Sequence, residues 1–305
     1  MAKLRTNPIT REDILEYLDK NSDFDFEIKT LNLLEKTGHK CRHSGTYTDP
    51  ITTKIREFDI RAEASKKISA NVTLNLLLAI ECKNIKDSFP LVLQCMPRAR
   101  HEEIEEMIFC APSEVAKMLL EEGFTSVGQH PFQATTIPLH RTLTSYKRDE
   151  PVGKSCDQIG RTLSGNDITG SDSDVFEKIS QAINSTYDLI QDAAKLESAT
   201  EYSLTIIKPV LVVPDGNLWH IIYDNEGNMV VGPEQTCFVP YYYGKSWPYK
   251  DWDGEKTYNV SHLDIVTFSH LPKHIGSVFG MENEDIMEHL KNLKRDGLLP
   301  SEVKL

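Results

Sequence analysis

A run of seven mostly apolar residues, Leu74–Ile80, constrains the fold most strongly, because charged residues follow it at once. The run is short and compatible with β structure, so we interpret it as a buried strand. Period-2 alternation then predicts Glu81 and Lys83 on one face and Cys82 on the other. A carboxylate and an ammonium group are costly to desolvate unless something pairs with them. The pattern indicates that a partner, such as a divalent metal ion or a phosphate, binds at the end of this strand.

A second charged strand is predicted shortly before the apolar run. Residues 57–63 alternate, so that Phe58, Ile60 and Ala62 face one way and Asp59 faces the other way with its charged neighbours. We expect residues 55–63 and 74–83 to form an antiparallel hairpin. The hairpin would place Asp59 on the strand beside Glu81.

Helix signals and one strand signal precede the hairpin. Thr10 begins a capping pattern, and a second helix is predicted from about Ser22 to Gly38. Glu27 lies four residues before Leu31 on the apolar stripe of that helix, which is unusual for an acid. Either Glu27 reaches solvent at the edge of the stripe, or it has a role in an active site. The following segment, from His39 to Tyr47, is predicted to be a strand.

The pattern after the hairpin predicts an α/β fold, with a mixed central sheet flanked by helices in a single domain spanning residues 1–305. The core would comprise residues 10–86 and 172–270, with an insertion at 87–171 and a C-terminal helix at 282–295. Within the insertion we expect a helical turn at His101–Phe109, a short helix at Pro112–Glu122 and a loop at Gly160–Ser173. The later elements are a long helix at Ser173–Leu196, and strands at Tyr202–Val213, Leu218–Tyr223, Met229–Val231 and His262–Phe268.

Composition restricts the environment and the partners of the chain. No apolar stretch is long enough to span a bilayer, and the six cysteines are scattered without a CxxC pair. We therefore expect a cytoplasmic protein with reduced thiols, without contact with a membrane. The formal net charge of −12 argues against a protein that coats nucleic acid through bulk electrostatics, although a local basic groove would still be compatible with it.

Asp59 followed by Glu81-x-Lys83 resembles the signature of the PD-(D/E)xK nuclease superfamily, which has the restriction-endonuclease-like fold. The resemblance extends from Glu27 to Lys83, in the order helix, strand, strand with Asp, strand with Glu-x-Lys. Phe58 takes the place of the signature proline before Asp59. No Gln-x-x-x-Tyr follows in the next helix, so the RecB-like branch is not supported.

The resemblance implies a metal-dependent deoxyribonuclease, and we expect endonucleolytic cleavage of DNA. Asp59 and Glu81 would hold Mg²⁺, or alternatively Mn²⁺, together with the carbonyl of Cys82. Lys83 would orient or deprotonate the attacking water, and Glu27 would be a further ligand. The bound ion would lower the pKa of a water and offset charge in the transition state.

Two segments are candidates for nucleic-acid binding. Residues 241–252 interleave aromatic residues with lysines, including Lys245 and Trp247, a composition suited to stacking on bases and attraction to phosphates. Packing of this aromatic loop on the domain or on a partner is the alternative. The second half of the insertion is locally basic, and its candidates are Arg141, Lys147 and Arg148.

Other functions remain open on the sequence alone. The chain would serve as a catalytically silent, nuclease-like scaffold if it bound a protein partner through its acidic surface and the aromatic loop. It would be an RNA-directed nuclease if single strands stacked on that loop. DNA is the expected partner ahead of RNA, and a homodimer or a complex with another protein is a further alternative.

Overall fold

A computed structural model describes residues 7–112, 132–139, 141–162, 167–171, 173–194, 202–251 and 254–299. The protein is α/β, with a large mixed sheet flanked by helices. The helices are α1 Arg11–Asn21, α2 Phe24–Lys36, α3 Ser173–Ala193, α4 Leu271–Phe279 and α5 Asn283–Arg295. The strands are β1 Lys40–Thr48, β2 Ile55–Lys67, β3 Val72–Cys82, β4 Leu91–Pro97, β5 Glu106–Pro112, β6 Phe132–Pro138, β7 Pro151–Arg161, β8 Ile168–Ser171, β9 Tyr202–Val213, β10 Leu218–Tyr223, β11 Met229–Gln235, β12 Phe238–Asp251 and β13 Gly254–Thr267.

The sheet runs in the order β1-β2-β3-β9-β13-β12-β7-β4-β10-β11, and β5, β6 and β8 attach beside this path. The predicted hairpin is confirmed, since β2 and β3 are antiparallel with Ile60 opposite Ile80. On its other side β3 pairs in parallel with β9, where Ile80 lies opposite Val210. Strand β3 is therefore an inner strand with both faces covered, which explains why its sequence is a continuous apolar run.

Two cores lie on opposite faces of the sheet. Ile60, Ile80 and Val210 point into one core, toward helices α2, α4 and α5. Ala79 and Leu211 point into the other core, toward α3. Because alternate residues of a strand face opposite ways, Asp59 and Glu81 lie on the α3 side of the sheet.

Most predicted elements outside the insertion are present. Thr10 caps α1 through a complete capping box with Asp13, and Gly38 follows α2 with a φ of 89°. The long helix and the C-terminal helix lie where the apolar periodicity predicts them. Helix α4 and the first part of β13 were not predicted.

The insertion contains more strand than its sequence indicates. The predicted loop at Gly160–Ser173 is wrong in part, because residues 160 and 161 belong to β7 and residues 168–171 form β8. All four residues of β8 are exposed, so no alternation of apolar and polar residues marks it. At His101–Phe109 a 3₁₀ turn covers Arg100–Glu102 and β5 then begins at Glu106. The predicted helix after Pro112 lies outside the described residues.

Strands of this insertion belong to the same sheet as the predicted core. Strand β4 pairs with β7 and with β10, and β5 pairs with β9. Among the described residues no helix is long and apolar enough to cross a membrane.

A network of buried charges lies on the central strands β9 and β13 of the sheet. Lys208 on β9 forms an ion pair with Glu105 at 2.6 Å and donates a hydrogen bond to the Tyr146 hydroxyl at 2.9 Å. Tyr146 donates in turn to Asp264, which also contacts His274 Nε2 at 3.0 Å. Burial disfavours the charge of Lys208, but the two carboxylates outweigh this effect and raise its pKa. Each buried charge therefore has a partner of opposite sign.

His262 beside this network should make the fold sensitive to acid. Its Nε2 accepts a hydrogen bond from Arg98 Nε at 3.3 Å, and burial followed by the charge of Arg98 lowers its pKa from 6.5 to about 2. Below pH 6.5, His262 becomes protonated in the unfolded chain but stays neutral in the folded chain. The free energy of unfolding therefore falls as the pH falls. We expect a loss of about 1.4 kcal/mol per pH unit below 6.5.

Urea unfolding at pH 7, 6 and 5 measures this effect. His262→Gln keeps a hydrogen-bond acceptor for Arg98 and should lose less stability between pH 7 and pH 5 than the wild type. Parallel losses in the two proteins would rule out His262 as the acid-sensitive group.

Candidate active site

The β2–β3 hairpin brings two carboxylates together. Ile60 lies opposite Ile80, so the antiparallel register places Asp59 beside Glu81. The Oδ2 atom of Asp59 accepts a hydrogen bond of 2.8 Å from the backbone N–H of Cys82. This bond ties the Asp59 carboxylate to the end of β3, next to Glu81.

Lys178 from α3 lies between the two carboxylates. Its Nζ atom is 2.8 Å from Asp59 Oδ2 and 3.0 Å from Glu81 Oε2. The side chains of Lys178, Asp59 and Glu81 are 17%, 12% and 1% exposed. A single cationic group thus bridges both carboxylates in a largely dry environment.

Lys178 is not among the site residues predicted from the sequence, although the sequence carries a signal for it. Lys178 lies three residues after Val175 and four residues before Ala182, and both of these residues are buried on the inner stripe of α3. A lysine on an apolar stripe needs a partner on the surface that the helix covers. The partner could not be named before α3 was known to pack over β3.

The carboxylate of Glu81 lies in an environment that disfavours its charge. Burial, followed by the neighbouring charge of Asp59, raises the pKa of Glu81 to about 8, although Lys178 acts in the opposite direction. The Oε1 atom of Glu81 is buried and has no hydrogen-bond partner in the structure. Burial opposes the charge of Lys178 as well, but Glu81 and Asp59 together raise its pKa. The cluster therefore combines an ammonium group whose charged form is favoured with one buried Glu81 oxygen that lacks a hydrogen-bond partner.

Glu27 lies near this cluster, but its carboxylate pairs with a histidine outside it. Its Oε2 atom is 3.2 Å from Nε2 of His43 on β1, and its side chain is 13% exposed. Burial and the charge of Asp59 raise the pKa of Glu27, which the hydrogen bond to His43 partly offsets. The side chain of Glu27 is thus largely covered, and its role in an active site stays a prediction.

Lys83 does not contact the carboxylate pair. Strand β3 ends at Cys82, and Lys83 Nζ instead lies 3.7 Å from Asp23 at the start of α2. Both residues line a cavity of about 480 Å³. The prediction that Glu81 and Lys83 share one face relied on period-2 alternation. This alternation ends with the strand at Cys82. The side chain of Cys82 is buried in the opposite core, as predicted.

Two of the three basic candidates of the insertion, Arg141 and Arg148, lie close to an acidic side chain. Arg148 Nε lies 3.0 Å from Glu103, and Arg141 Nε lies 3.7 Å from the same carboxylate. Lys147 is exposed, and its carbonyl accepts a hydrogen bond from Arg98. Glu103 offsets part of the positive charge that the sequence indicated for this surface.

The predicted aromatic loop is a strand, and this corrects one binding candidate. Residues 241–251 belong to β12, paired with β13. Trp247 is 4% exposed and packs edge-on against Tyr187 of α3, so it has no free face for a base. Lys245 Nζ lies 4.6 Å from the centre of the Trp247 ring. The alternative of packing on the domain therefore holds for Trp247.

Asp59 and Glu81 are the residues of this cluster that could hold a hard divalent cation. Mg²⁺ is usually held by one or two carboxylates and keeps several waters, which leaves positions for phosphate oxygens. Glu81 Oε1, buried without a partner, is an oxygen that such an ion would satisfy. Within the part of the chain that the structure describes, no group of three or more His, Cys, Asp and Glu side chains is arranged to hold a metal. The site thus offers two protein ligands rather than a closed cage.

Comparison with known proteins gives no relative: no family model, no curated protein and no solved structure matches this chain.

Proposed function

We propose that this protein is a metal-dependent phosphodiesterase that hydrolyses nucleic acid, with DNA as the expected substrate. The observation that carries the proposal is that the carboxylates of Asp59 and Glu81 both contact the ammonium group of Lys178. In addition, Glu81 Oε1 is buried without a hydrogen-bond partner. A carboxylate pair with a lysine at the end of an apolar strand suits chemistry on an anionic ester. The carboxylates hold a cation, and the ammonium attracts the phosphate.

Each residue of the cluster has a distinct role in this proposal. Asp59 and Glu81 would hold the metal ion, and the Cys82 N–H keeps the Asp59 carboxylate in place. When bound, Mg²⁺ lowers the pKa of a coordinated water and offsets the charge of the phosphate. Lys178 takes the position that the sequence assigned to Lys83, where it balances the carboxylates and orients the attacking water. Glu27, held by His43, adds negative charge from the α2 side.

The order of elements supports the restriction-endonuclease-like fold as part of the proposal. Helix α2 is followed by the meander β1-β2-β3, and α3 and β9 come after the insertion. Strand β9 pairs in parallel with β3, and α3 covers the face that carries Asp59 and Glu81.

Cleavage assays on double-stranded DNA, single-stranded DNA and RNA test the function. The wild type should cleave with Mg²⁺ or Mn²⁺ and not with EDTA. Glu81→Gln should reduce the rate by about 10²–10³-fold, because it removes a charged ligand at a preorganised site. Glu63→Gln, a change at an exposed position of β2, is the matched control and should retain full activity. Metal-dependent cleavage by Glu81→Gln at the wild-type rate would refute the site.

A second candidate function is a non-catalytic scaffold, and Lys178 is the observation that favours it. A lysine that already bridges both carboxylates supplies the positive charge that a metal ion would otherwise supply. Absence of cleavage on all three substrates, together with no effect of Mg²⁺ or Mn²⁺ on thermal stability, would favour the scaffold over the enzyme.

A further inference from the structure

A cavity of about 620 Å³ lies at the amino ends of the parallel strands β4 and β10. Asp87 and Pro90 line it from the loop before β4, and residues 215–217 line it from the loop before β10. The N–H of Leu91 donates a hydrogen bond of 2.8 Å to the carbonyl of Asn217, which holds the two strand starts side by side. The volume is within the range of sites for small organic ligands.

The cavity lies on the face of the sheet that is turned away from α3. Leu91, Leu93 and Leu218 belong to the core under α3. Their neighbours Val92 and Trp219, which lie opposite each other in the register, therefore point the other way. Within the described part of the chain, the core on that side takes none of its residues from β4, β7 or β10. The apolar side chains of these strands thus stay partly exposed there.

The walls of the cavity are apolar. They are formed by one aromatic ring and five aliphatic or proline side chains, namely Trp219, Ile221, Val92, Ile159, Pro90 and Pro233. Trp219 is only half-buried, and its ring contacts no other ring among the described residues. An indole with an open face can stack on an apolar group or hold a cation over its ring.

The charged side chains that line this cavity, as far as the structure describes it, are two carboxylates, Asp87 and Asp215. Asp87 Oδ1 accepts a hydrogen bond from Asn217 Nδ2 at 3.2 Å, and Asp215 Oδ1 accepts one from Ser269 Oγ at 2.9 Å. These donors are neutral, and neither carboxylate forms an ion pair with a described residue. Both aspartates are exposed, so an uncompensated negative charge lies at the mouth of an apolar cavity.

Hydrogen bonds hold the loop before β10 in place. Asn217 is 4% exposed, and its Nδ2 atom also donates to the carbonyl of Ile85 at 3.1 Å. Gln235 Nε2 on β11 donates to the carbonyl of Gly216 at 2.8 Å. Gly216 has a φ of 81°, a left-handed conformation that favours glycine. The walls are therefore fixed before a ligand binds, which lowers the entropic cost of binding.

We infer that this cavity binds a small organic cation, an ammonium compound with an aromatic or aliphatic body. The body packs against the apolar walls and on the Trp219 ring, and the ammonium group lies at the mouth near Asp87 and Asp215. A metal ion suits the site less, because the apolar walls supply no oxygen ligands. The inference goes beyond the proposed function, since the cavity lies on the opposite face of the sheet from Asp59 and Glu81.

Ligand-observed NMR titrations at low salt test the cavity with three probes of similar shape. Phenethylammonium carries a positive charge, phenethyl alcohol is neutral and hydrocinnamate carries a negative charge. The indole N–H signal of Trp219 locates the bound probe on the protein, and its loss in Trp219→Leu assigns it.

Two double variants separate the charge of the cavity from the charge of the chain. Asp87→Asn with Asp215→Asn removes both carboxylate charges and keeps an oxygen acceptor at each position. Glu226→Gln with Glu255→Gln is the matched control, since it removes two exposed acids that do not line the cavity. The control is needed because the formal net charge of −12 attracts any cation to the chain.

The wild type should bind phenethylammonium about tenfold more tightly than phenethyl alcohol, and hydrocinnamate should bind most weakly. The aspartate variant should bind the ammonium compound only as tightly as the alcohol. Trp219→Leu should weaken binding of the ammonium compound about two- to fivefold. Added salt should weaken it in the wild type, and the control should match the wild type at low salt.

Three results would overturn the inference. They are equal affinities of the wild type for the ammonium compound and the alcohol, a Trp219 signal that does not move on binding, and the same loss of affinity in the aspartate variant as in the control. These titrations contain neither nucleic acid nor metal, so their outcome is independent of the cleavage assay.

Discussion

Lys178→Met is expected to slow cleavage and to destabilise the protein by about 3 kcal/mol at pH 8, because it removes the cation that Asp59 and Glu81 share. Asp59 and Glu81 are 12% and 1% exposed, so solvent cannot replace the lost ammonium. The rate should fall by about 10²–10³-fold. Denaturant unfolding and the cleavage assay measure the two effects.

The pH dependence of this variant has a defined sign. Glu81 has a folded pKa of about 8, raised from 4.5, and Lys178 acts to lower it. Without Lys178 the folded state holds the Glu81 proton still more tightly, whereas the unfolded state releases it above pH 4.5. Stability should therefore fall as the pH rises above 4.5 in both proteins, and the fall should continue above pH 8 in the variant, where it levels off in the wild type. A difference in stability between the two proteins that does not grow above pH 8 would contradict the assigned electrostatics.

Lys83→Met is the matched control for Lys178→Met. Lys83 is 24% exposed and pairs with Asp23 at 3.7 Å, so the change should cost less than about 1 kcal/mol. Mg²⁺ should stabilise Lys178→Met more than the wild type, since the ion then faces both carboxylates without competition. Equal shifts in thermal stability with Mg²⁺ would argue that the carboxylate pair does not bind the metal.

Lys208→Met is expected to destabilise the fold by about 3–5 kcal/mol at neutral pH. This prediction does not depend on the proposed function. The change leaves Glu105 and Asp264 buried without their ammonium partner, and these residues are 6% and 0% exposed. Burial opposes ionisation of Asp264, yet Lys208 and then His274 hold its pKa well below 3.8 in the wild type. That contribution to stability is present above pH 3.8 and is lost as the pH falls through the folded pKa.

Lys250→Met on the exposed side of β12 is the control, and it should change the free energy of unfolding by less than about 0.5 kcal/mol. Denaturant unfolding at pH 7 measures both variants. A cost for Lys208→Met as small as that of the control would show that the buried network does not depend on this ammonium group.

The hairpin was predictable because its information is local. The apolar run of β3 and the alternation around Asp59 predict two strands with specific inward faces. Antiparallel pairing through the turn then brings Asp59 beside Glu81. The stripe of α3 and the capping box at Thr10 were predictable for the same reason, since each depends on residues a few positions apart.

Exposed or irregular elements were less predictable. Strand β8 is fully exposed, so its sequence resembles a loop. The segment containing Trp247 was taken for a loop because aromatic residues on both sides of the chain obscure its alternation. Arg141 and Arg148 looked like a basic surface, because their common partner Glu103 lies distant in sequence from both.

The sequence by itself determined the pair of carboxylates, because the strand period and the hairpin register are properties of neighbouring residues. Only the tertiary structure decided which lysine joins them. Lys83 is close to Glu81 along the chain, but β3 ends before it and the side chain turns to Asp23. Lys178 is 97 positions from Glu81, and the packing of α3 on the sheet places its ammonium group 3.0 Å from that carboxylate. Helix packing depends on the whole apolar core, which no short motif encodes.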